Sequence, residues 1–336
     1  MKFPFFTGKR ETPVSDDKEL PSPRWDEETR PQNYDTEPGL VNAVNVTLLM
    51  GQPLLLTGEP GTGKTQLAYR LAWELALGEP LKFETKSNST SQHLFYYYDT
   101  LRRFHAAQLR DENCSEVDFI TYNALGKAIL LANKPDDVKH LLPPDFKHEG
   151  PRRSVVLIDE IDKAPRDFPN DILNEIERMY FRISFLKNEN IQADKEFSPI
   201  VVITSNSEKN LPDPFLRRCV YYHIKFPDMD RMKNIMRKRL RDIPILSGEK
   251  REPDENFLSD AVNLFFELRA HALRKRPATA ELLGWLQALR EISDKRNPII
   301  EDRESVLSTV CMLIKSVEDI ETANRIIKSW KMIPHK

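Results

Sequence analysis

The sequence predicts an α/β chain: a parallel sheet covered by helices on both faces, followed by an all-α C-terminal region. Three observations predict it. Short, wholly apolar runs recur at PLLLTG (53–58), SVVLID (154–159) and PIVVITSN (199–206), the pattern of parallel strands buried on both faces. Helical periodicity fills the stretches between them, which makes βαβ units. After Pro227 the strand signals stop and only helical spacing remains.

Residues 11–38 are rich in charge and in proline (Pro13, Pro21, Pro23, Pro31, Pro38) and show neither period, so 1–38 read as a mobile tail. The alternative is a strap in which Trp25 or Tyr34 lies against the folded body. From Gly39 the text changes. Residues 40–50 have apolar groups at helical spacing, 53–58 form the first strand, 64–77 a helix and 81–86 a second strand. The segment 87–154 is longer than such a core needs, and an insert is placed at about 87–122. Within it, QHLFYYYDTLRRFHAAQLR (92–110) combines three tyrosines with arginines; Phe95, Tyr97 and Leu101 either fill the core or face outward. Two alternating stretches around a Lys-Asn-Glu-Asn turn predict a hairpin at about 178–199. A last strand is expected in 219–226. The core domain therefore covers 39–226. Residues 227–336 should be helical, with helices at 228–242, 254–273, 278–292 and 304–330 and breaks near Pro244, Pro253, Pro277 and Pro298.

Composition excludes several classes. Acids and bases nearly cancel, 52 against 50 for a formal charge of −2, which argues against a chain that coats nucleic acid. The basic helix 230–242 interleaves its charges with Met232, Ile235, Met236 and Leu240, as a solvated face does. With 40% hydrophobic residues the chain can bury a core. Its three cysteines, Cys114, Cys219 and Cys311, lie too far apart for a zinc knuckle or a disulfide framework, and they suit a reducing, cytoplasmic setting. No run is long enough to span a bilayer, and Met1 to Arg10 lacks the features of a signal peptide, so no membrane role is expected.

The strongest chemical signal is Gly58-Glu59-Pro60-Gly61-Thr62-Gly63-Lys64-Thr65, a full GxxxxGK[ST] set between a buried strand and a helix, with Gln66 next to it. Glycines let backbone N–H groups turn inward around a phosphate, and the helix N-terminus adds its positive dipole end. Lys64 would reach the β- and γ-phosphates of ATP, and the Thr65 hydroxyl would ligate Mg²⁺. A second strand delivers Asp159 and Glu160 at its C-terminal end, where ligands of open α/β sheets bind. Asp159 would hold Mg²⁺ through water, and Glu160 would polarise the attacking water. Asn206 closes the third buried strand and could orient that water. Arg217 and Arg218, before the last strand, read either as a solvated pair or as a source of transition-state charge for a neighbouring subunit's γ-phosphate.

GEPGTGKT, VVLIDEIDKAP, ITSN and LPDPFLRRC, in this order and before a helical domain, resemble an AAA+ ATPase. The segment Asp159-Glu160-Ile161-Asp162-Lys163-Ala164-Pro165 is similar to the Walker B of the MoxR-like (dynein-related, AAA_5-type) group. The resemblance covers about 40–290. It implies a P-loop NTPase αβα sandwich with a helical lid, Walker A at Gly58–Thr65, Walker B at Asp159 and Glu160, and sensor 1 at Asn206. It further implies an arginine finger at Arg218, with Arg217 as the rival. The group's sensor 2 arginine would fall near Ala280, a departure, and Arg276 or Arg274 could substitute from the preceding turn. It also implies a pore-facing insertion in 92–110.

Together these readings predict a Mg²⁺-ATP hydrolase in a homo-oligomeric, hexameric ring that remodels or activates a protein partner, as a chaperone does. That partner could be a separate von Willebrand A-domain protein. Two alternatives are an ATP-dependent assembly switch in signalling or defence, and a DNA-directed motor subunit of McrB type.

Overall fold

The computed structural model describes residues 30–109, 115–186, 188–207, 211–245 and 252–330. Among these the chain divides into two units. One is Thr36–Lys225; the other is helical, starts at Phe226, and takes in the segment that ends at Asp35.

The first unit opens with α1 (Pro38–Met50), β1 (Leu54–Thr57), α2 (Lys64–Glu74) and β2 (Leu81–Glu84). An antiparallel pair follows, β3 (Tyr96–Tyr98) and β4 (Ile120–Tyr122), with α3 (Thr100–Gln108) between them and α4 (Ala124–Ala132) after them. Then come β5 (Val155–Asp159), a second antiparallel pair β6 (Tyr180–Ile183) and β7 (Glu189–Gln192), and finally β8 (Ile200–Ser205) and β9 (Val220–His223). Five strands form one parallel sheet in the order β2-β5-β8-β1-β9. The three central strands are LLLT, VVLID and IVVITS, and every residue in them is buried. Helices cover both faces of such a sheet, so its central strands need apolar groups on both sides rather than an alternating pattern. The edge strands differ: β2 buries only Phe83, and β9 alternates between half-buried and exposed residues. This order sets the C-terminal ends of β5, β8 and β1 side by side, which places Asp159, Ser205 and Thr57 on one rim.

The aromatic run in the inserted segment splits. Phe95 is buried and stacks on Phe181 at 5.4 Å. Tyr97 and Leu101 are exposed. Gly126 in α4 lies so close to the Phe95 carbonyl that a Cβ there would meet its oxygen at 2.0 Å.

The helical unit contains α5 (Met229–Asp242), α6 (Glu255–Ala270), α7 (Thr279–Ile292), a single turn at Pro298–Glu301, α8 (Arg303–Thr309) and α9 (Val317–Ser329). Met232, Met236, Leu240, Phe265 and Trp285 form its fully buried centre. The Trp285 indole N–H donates to Thr309 Oγ1 at 3.0 Å, so burial of the ring leaves no polar atom unmet. Arg231, Lys233, Arg237 and Lys238, the basic side of α5, pair with Asp35 and Glu255.

Two expectations are corrected. The span 304–330 is not one helix: α8 ends in a 3-10 turn at Val310–Met312, and α9 restarts from an extended Ser316 whose side chain accepts from the Asp319 N–H. That Ser-x-x-Asp cap was readable in the sequence. The second concerns 30–35 of the N-terminal segment, which docks instead of trailing. Asn33 is buried and donates to Asp242 at 2.6 Å, and Asp35 accepts from Arg231 and Lys238. A strap held by such polar contacts leaves no hydrophobic period to detect. Trp25 lies outside the described residues.

Candidate active site

The phosphate loop begins where β1 ends. Gly58 has φ +149°, and a Cβ on it would stand 2.5 Å from the Ile224 carbonyl oxygen, so no other residue fits there without moving backbone. Gly61 and Gly63 adopt left-handed φ values of +77° and +87°, which glycine takes at little cost. Gly63 caps α2, and Lys64 is its first residue. The Lys64 side chain is only 7% exposed; its ammonium donates to the carbonyls of Gly58 and Glu59 and to Asn206 Oδ1, at 2.8–3.0 Å. Burial lowers the Lys64 pKa, and the nearby carboxylates of Asp162, Asp159 and Glu160 oppose that shift. Thr62 closes the loop by donating to the Glu59 carbonyl at 2.9 Å. Glu59, Pro60 and Gly61 are exposed, and Gln66 is half-buried in the first turn of α2.

Asp159 ends β5 and is 8% exposed. Its Oδ1 accepts from the hydroxyls of Thr65 at 2.8 Å and Thr204 at 2.7 Å, and its Oδ2 lies 3.3 Å from Lys82 Nζ. Glu160 is left-handed at φ +55°. Its N–H donates to Thr204 Oγ1 at 2.8 Å, its Oε2 pairs with Lys163, and its Oε1 lies 3.4 Å from Asn206 Nδ2. Asn206 is fixed from behind, its backbone N–H donating to Asp162 Oδ1 at 3.1 Å. Lys64, Thr65, Asp159, Glu160 and Asn206 thus form one connected polar cluster drawn from the ends of β5 and β8 and the start of α2.

Among the described residues, none of the expected arginines bonds to this cluster. Arg217 and Arg218 follow the short helix Asp213–Leu216. Arg218 is tied down, with its Nε 3.1 Å from Glu177 Oε2 and a second bond to the Pro214 carbonyl. Arg217 is exposed, and its guanidinium bonds to no described residue. Arg274 and Arg276 are exposed in the helical unit, ahead of α7; the Arg274 backbone N–H donates to Asp319 Oδ1 and its side chain lies 3.5 Å from Glu318.

Sequence reasoning missed three groups in the cluster: Thr204, Lys82 and the carboxylate of Asp162. Thr204 stands one register step beyond the Ile158–Ile203 pair, so strand alignment alone would have set it beside Asp159. Lys82 sits on the edge strand two residues before Glu84, and nothing in its pattern separates it from a solvated lysine.

A glycine loop at a helix N-terminus with a buried lysine suits a polyphosphate, and Thr65 with Asp159 offers hard oxygen donors of the kind Mg²⁺ takes. The fold and this rim define a nucleotide-binding protein of the P-loop class. A profile of the ATPase family associated with various cellular activities (AAA) matches residues 54–228, more than half of the chain. The chain belongs to that family and is a P-loop ATPase. Its fold is also similar to that of a point variant of RuvB from Thermotoga maritima, at 17% identity and a TM-score of 0.45, over 84% of this chain and 69% of that one. No curated protein matches the sequence.

Proposed function

We propose that the chain is a MoxR-like AAA+ ATPase that hydrolyses Mg²⁺-ATP at the subunit interfaces of a ring and uses the motion to remodel or activate a protein partner. The observation that supports hydrolysis is the cluster itself: Lys64 bonded to Asn206, and Asn206 within 3.4 Å of Glu160. In this reading Lys64 binds the β- and γ-phosphates, and Glu160 takes a proton from the attacking water while Asn206 orients it. Thr65 and Asp159 would hold Mg²⁺, which neutralises charge on the phosphate oxygens. Arg217 or Arg218 of a neighbouring copy would add charge at the γ-phosphate, because neither is bonded to the cluster on its own subunit's sheet rim and an interface would make them useful. Arg276 or Arg274 would serve as sensor 2. The narrower MoxR-like relation rests on the segment Asp159–Pro165.

The test is the solution mass of Glu160→Gln with and without Mg²⁺-ATP. That variant should bind and stall. A nucleotide-dependent shift to about six subunits supports the ring, since closed symmetric rings are the usual outcome of head-to-tail interfaces. A monomer in both conditions rejects a self-assembling ring.

One observation favours the slower-turnover reading, an assembly switch. Lys163 holds the Glu160 carboxylate in an ion pair, which competes with the water for the base. If that pair limits basal turnover, Lys163→Ala will raise it; an unchanged rate removes this reading. Nothing comparable favours the DNA-directed motor, because Arg231, Lys233, Arg237 and Lys238 on α5 are already matched by Asp35 and Glu255.

A further inference from the structure

A single hydroxyl joins the two carboxylate residues at the end of β5. Thr204 is fully buried on β8, and its Oγ1 stands 2.8 Å from the Glu160 backbone nitrogen and 2.7 Å from Asp159 Oδ1. The direction of both bonds is forced. A backbone N–H can only donate, so the hydroxyl accepts from Glu160, and its one proton goes to the Asp159 carboxylate. Thr65 donates to that same oxygen. Oδ1 therefore has both lone pairs engaged, while Oδ2 faces Lys82, at 3.3 Å.

Glu160 makes the Thr204 contact matter more. Its φ of +55° and ψ of +52° are left-handed, a conformation that a residue with a side chain holds only when its surroundings enforce it. The Thr204 oxygen is the acceptor for the N–H of this strained residue. Releasing that N–H would leave a part-buried donor unmet and free the backbone that aims the Glu160 side chain.

The geometry points to Thr204 as a positioning residue for Mg²⁺-ATP hydrolysis: one buried hydroxyl fixes the Asp159 carboxylate for the cation and the Glu160 backbone for the attacking water. This inference rests on the proposed roles of Asp159 and Glu160. Thr204 touches neither substrate nor metal and acts through those two residues.

The experiment compares full-length wild type with Thr204→Val, which keeps the shape and loses the hydroxyl, and Thr204→Ser, which keeps the hydroxyl. Binding of a fluorescent ATP analogue is measured in EDTA and in Mg²⁺, turnover is measured against Mg²⁺ concentration, and thermal melting reports folding. Thr204→Val should bind the analogue in EDTA as wild type does. Its Mg²⁺ requirement should rise, and its turnover fall, by about 10- to 100-fold, the usual effect of removing an outer partner of a metal ligand. Thr204→Ser should restore both. Wild-type Mg²⁺ dependence in Thr204→Val, or a Thr204→Ser as impaired as the valine variant, overturns the inference. Should the valine variant fail to fold, Thr204→Ala against Thr204→Ser decides in the same way: equal turnover overturns it, and turnover only with the hydroxyl supports it. A wild type whose binding and turnover ignore Mg²⁺ would instead overturn the assignment of Asp159, and this inference with it.

Discussion

Thr65 and Asp159 are 94 residues apart in the chain, yet the threonine hydroxyl donates to the Asp159 carboxylate at 2.8 Å. The bond exists because β1 and β5 flank β8 in one parallel sheet, so the loop after β1 and the end of β5 share a rim. Two weak local patterns, a Gly-rich turn and an acidic strand end, become one site through that topology.

Lys64 is the first position to test there. It gives three charged hydrogen bonds from an almost fully buried ammonium. Lys64→Ala should weaken ATP binding at least 10-fold, and up to about 150-fold, because one charged hydrogen bond to phosphate is worth about 1.5–3 kcal/mol. Isothermal titration with the folded variant reads this directly. Wild-type affinity would remove the phosphate loop from the site.

The two arginines make opposite demands. Arg218 would have to leave Glu177 to act across an interface, whereas the Arg217 guanidinium already has no bond to a described residue. Turnover should fall by about 10³-fold or more in whichever single alanine variant removes the finger, with ATP affinity unchanged. Glu177→Ala separates the cases further. It should leave the rate alone if Arg217 is the finger and raise it if Arg218 must first be released. Steady-state ATPase rates of the three variants, measured above the assembly concentration, decide between them.

Much of this was legible in the sequence because the signals were local and strong. The runs LLLT, VVLID and IVVITS read as buried strands, and the loop motif announces its own place between strand and helix. Thr204 was not legible as a functional group, since its role depends on register with β5 and its residue type is ordinary in a strand. Lys82, Asp162 and Glu177 were missed for the same reason: each acts through a partner more than 40 residues away. The docking of Asn33 and Asp35 on α5 was hidden in a polar, proline-rich stretch, where contacts are made by single side chains and leave no period. Phe95 and Tyr97 sit two residues apart in one aromatic run, and only the fold separates the core residue from the exposed one.

Gly126 tests the packing that sets α4 against the segment leading into the inserted pair β3–β4. A methyl group at this position would meet the Phe95 carbonyl oxygen at 2.0 Å and its carbon at 2.8 Å. Neither is a flexible side-chain end, and the same oxygen already accepts from the Asn123 N–H. Gly126→Ala gains a better helix former yet should still lose about 1–3 kcal/mol of stability, the usual range for overpacking. A lower urea midpoint with an unchanged slope is the expected result. An equal or higher midpoint would mean that α4 can shift away from Phe95.

Acid should loosen the helical unit. Glu255 is held by hydrogen bonds from Arg237 and then Lys233, which outweigh burial and bring its carboxyl down to about 2 from an ordinary 4.5. Burial raises the Asp35 pKa, but hydrogen bonds from Lys238 and Arg231 outweigh it and leave the carboxyl below its ordinary value. A depressed carboxyl contributes stability above its ordinary pKa and loses it as pH falls toward the folded value. For Glu255 that window runs from 4.5 down to about 2. Its side chain is 55% exposed, so screening limits the pair with Arg237 to about 0.2–1 kcal/mol. Glu255→Gln should therefore melt slightly lower than wild type at pH 7 and lose less on acidification. Thermal melts followed by far-UV circular dichroism between pH 7 and pH 2 measure both. Parallel pH profiles for wild type and variant would mean that the α5–α6 ion pairs do not contribute to holding this unit together.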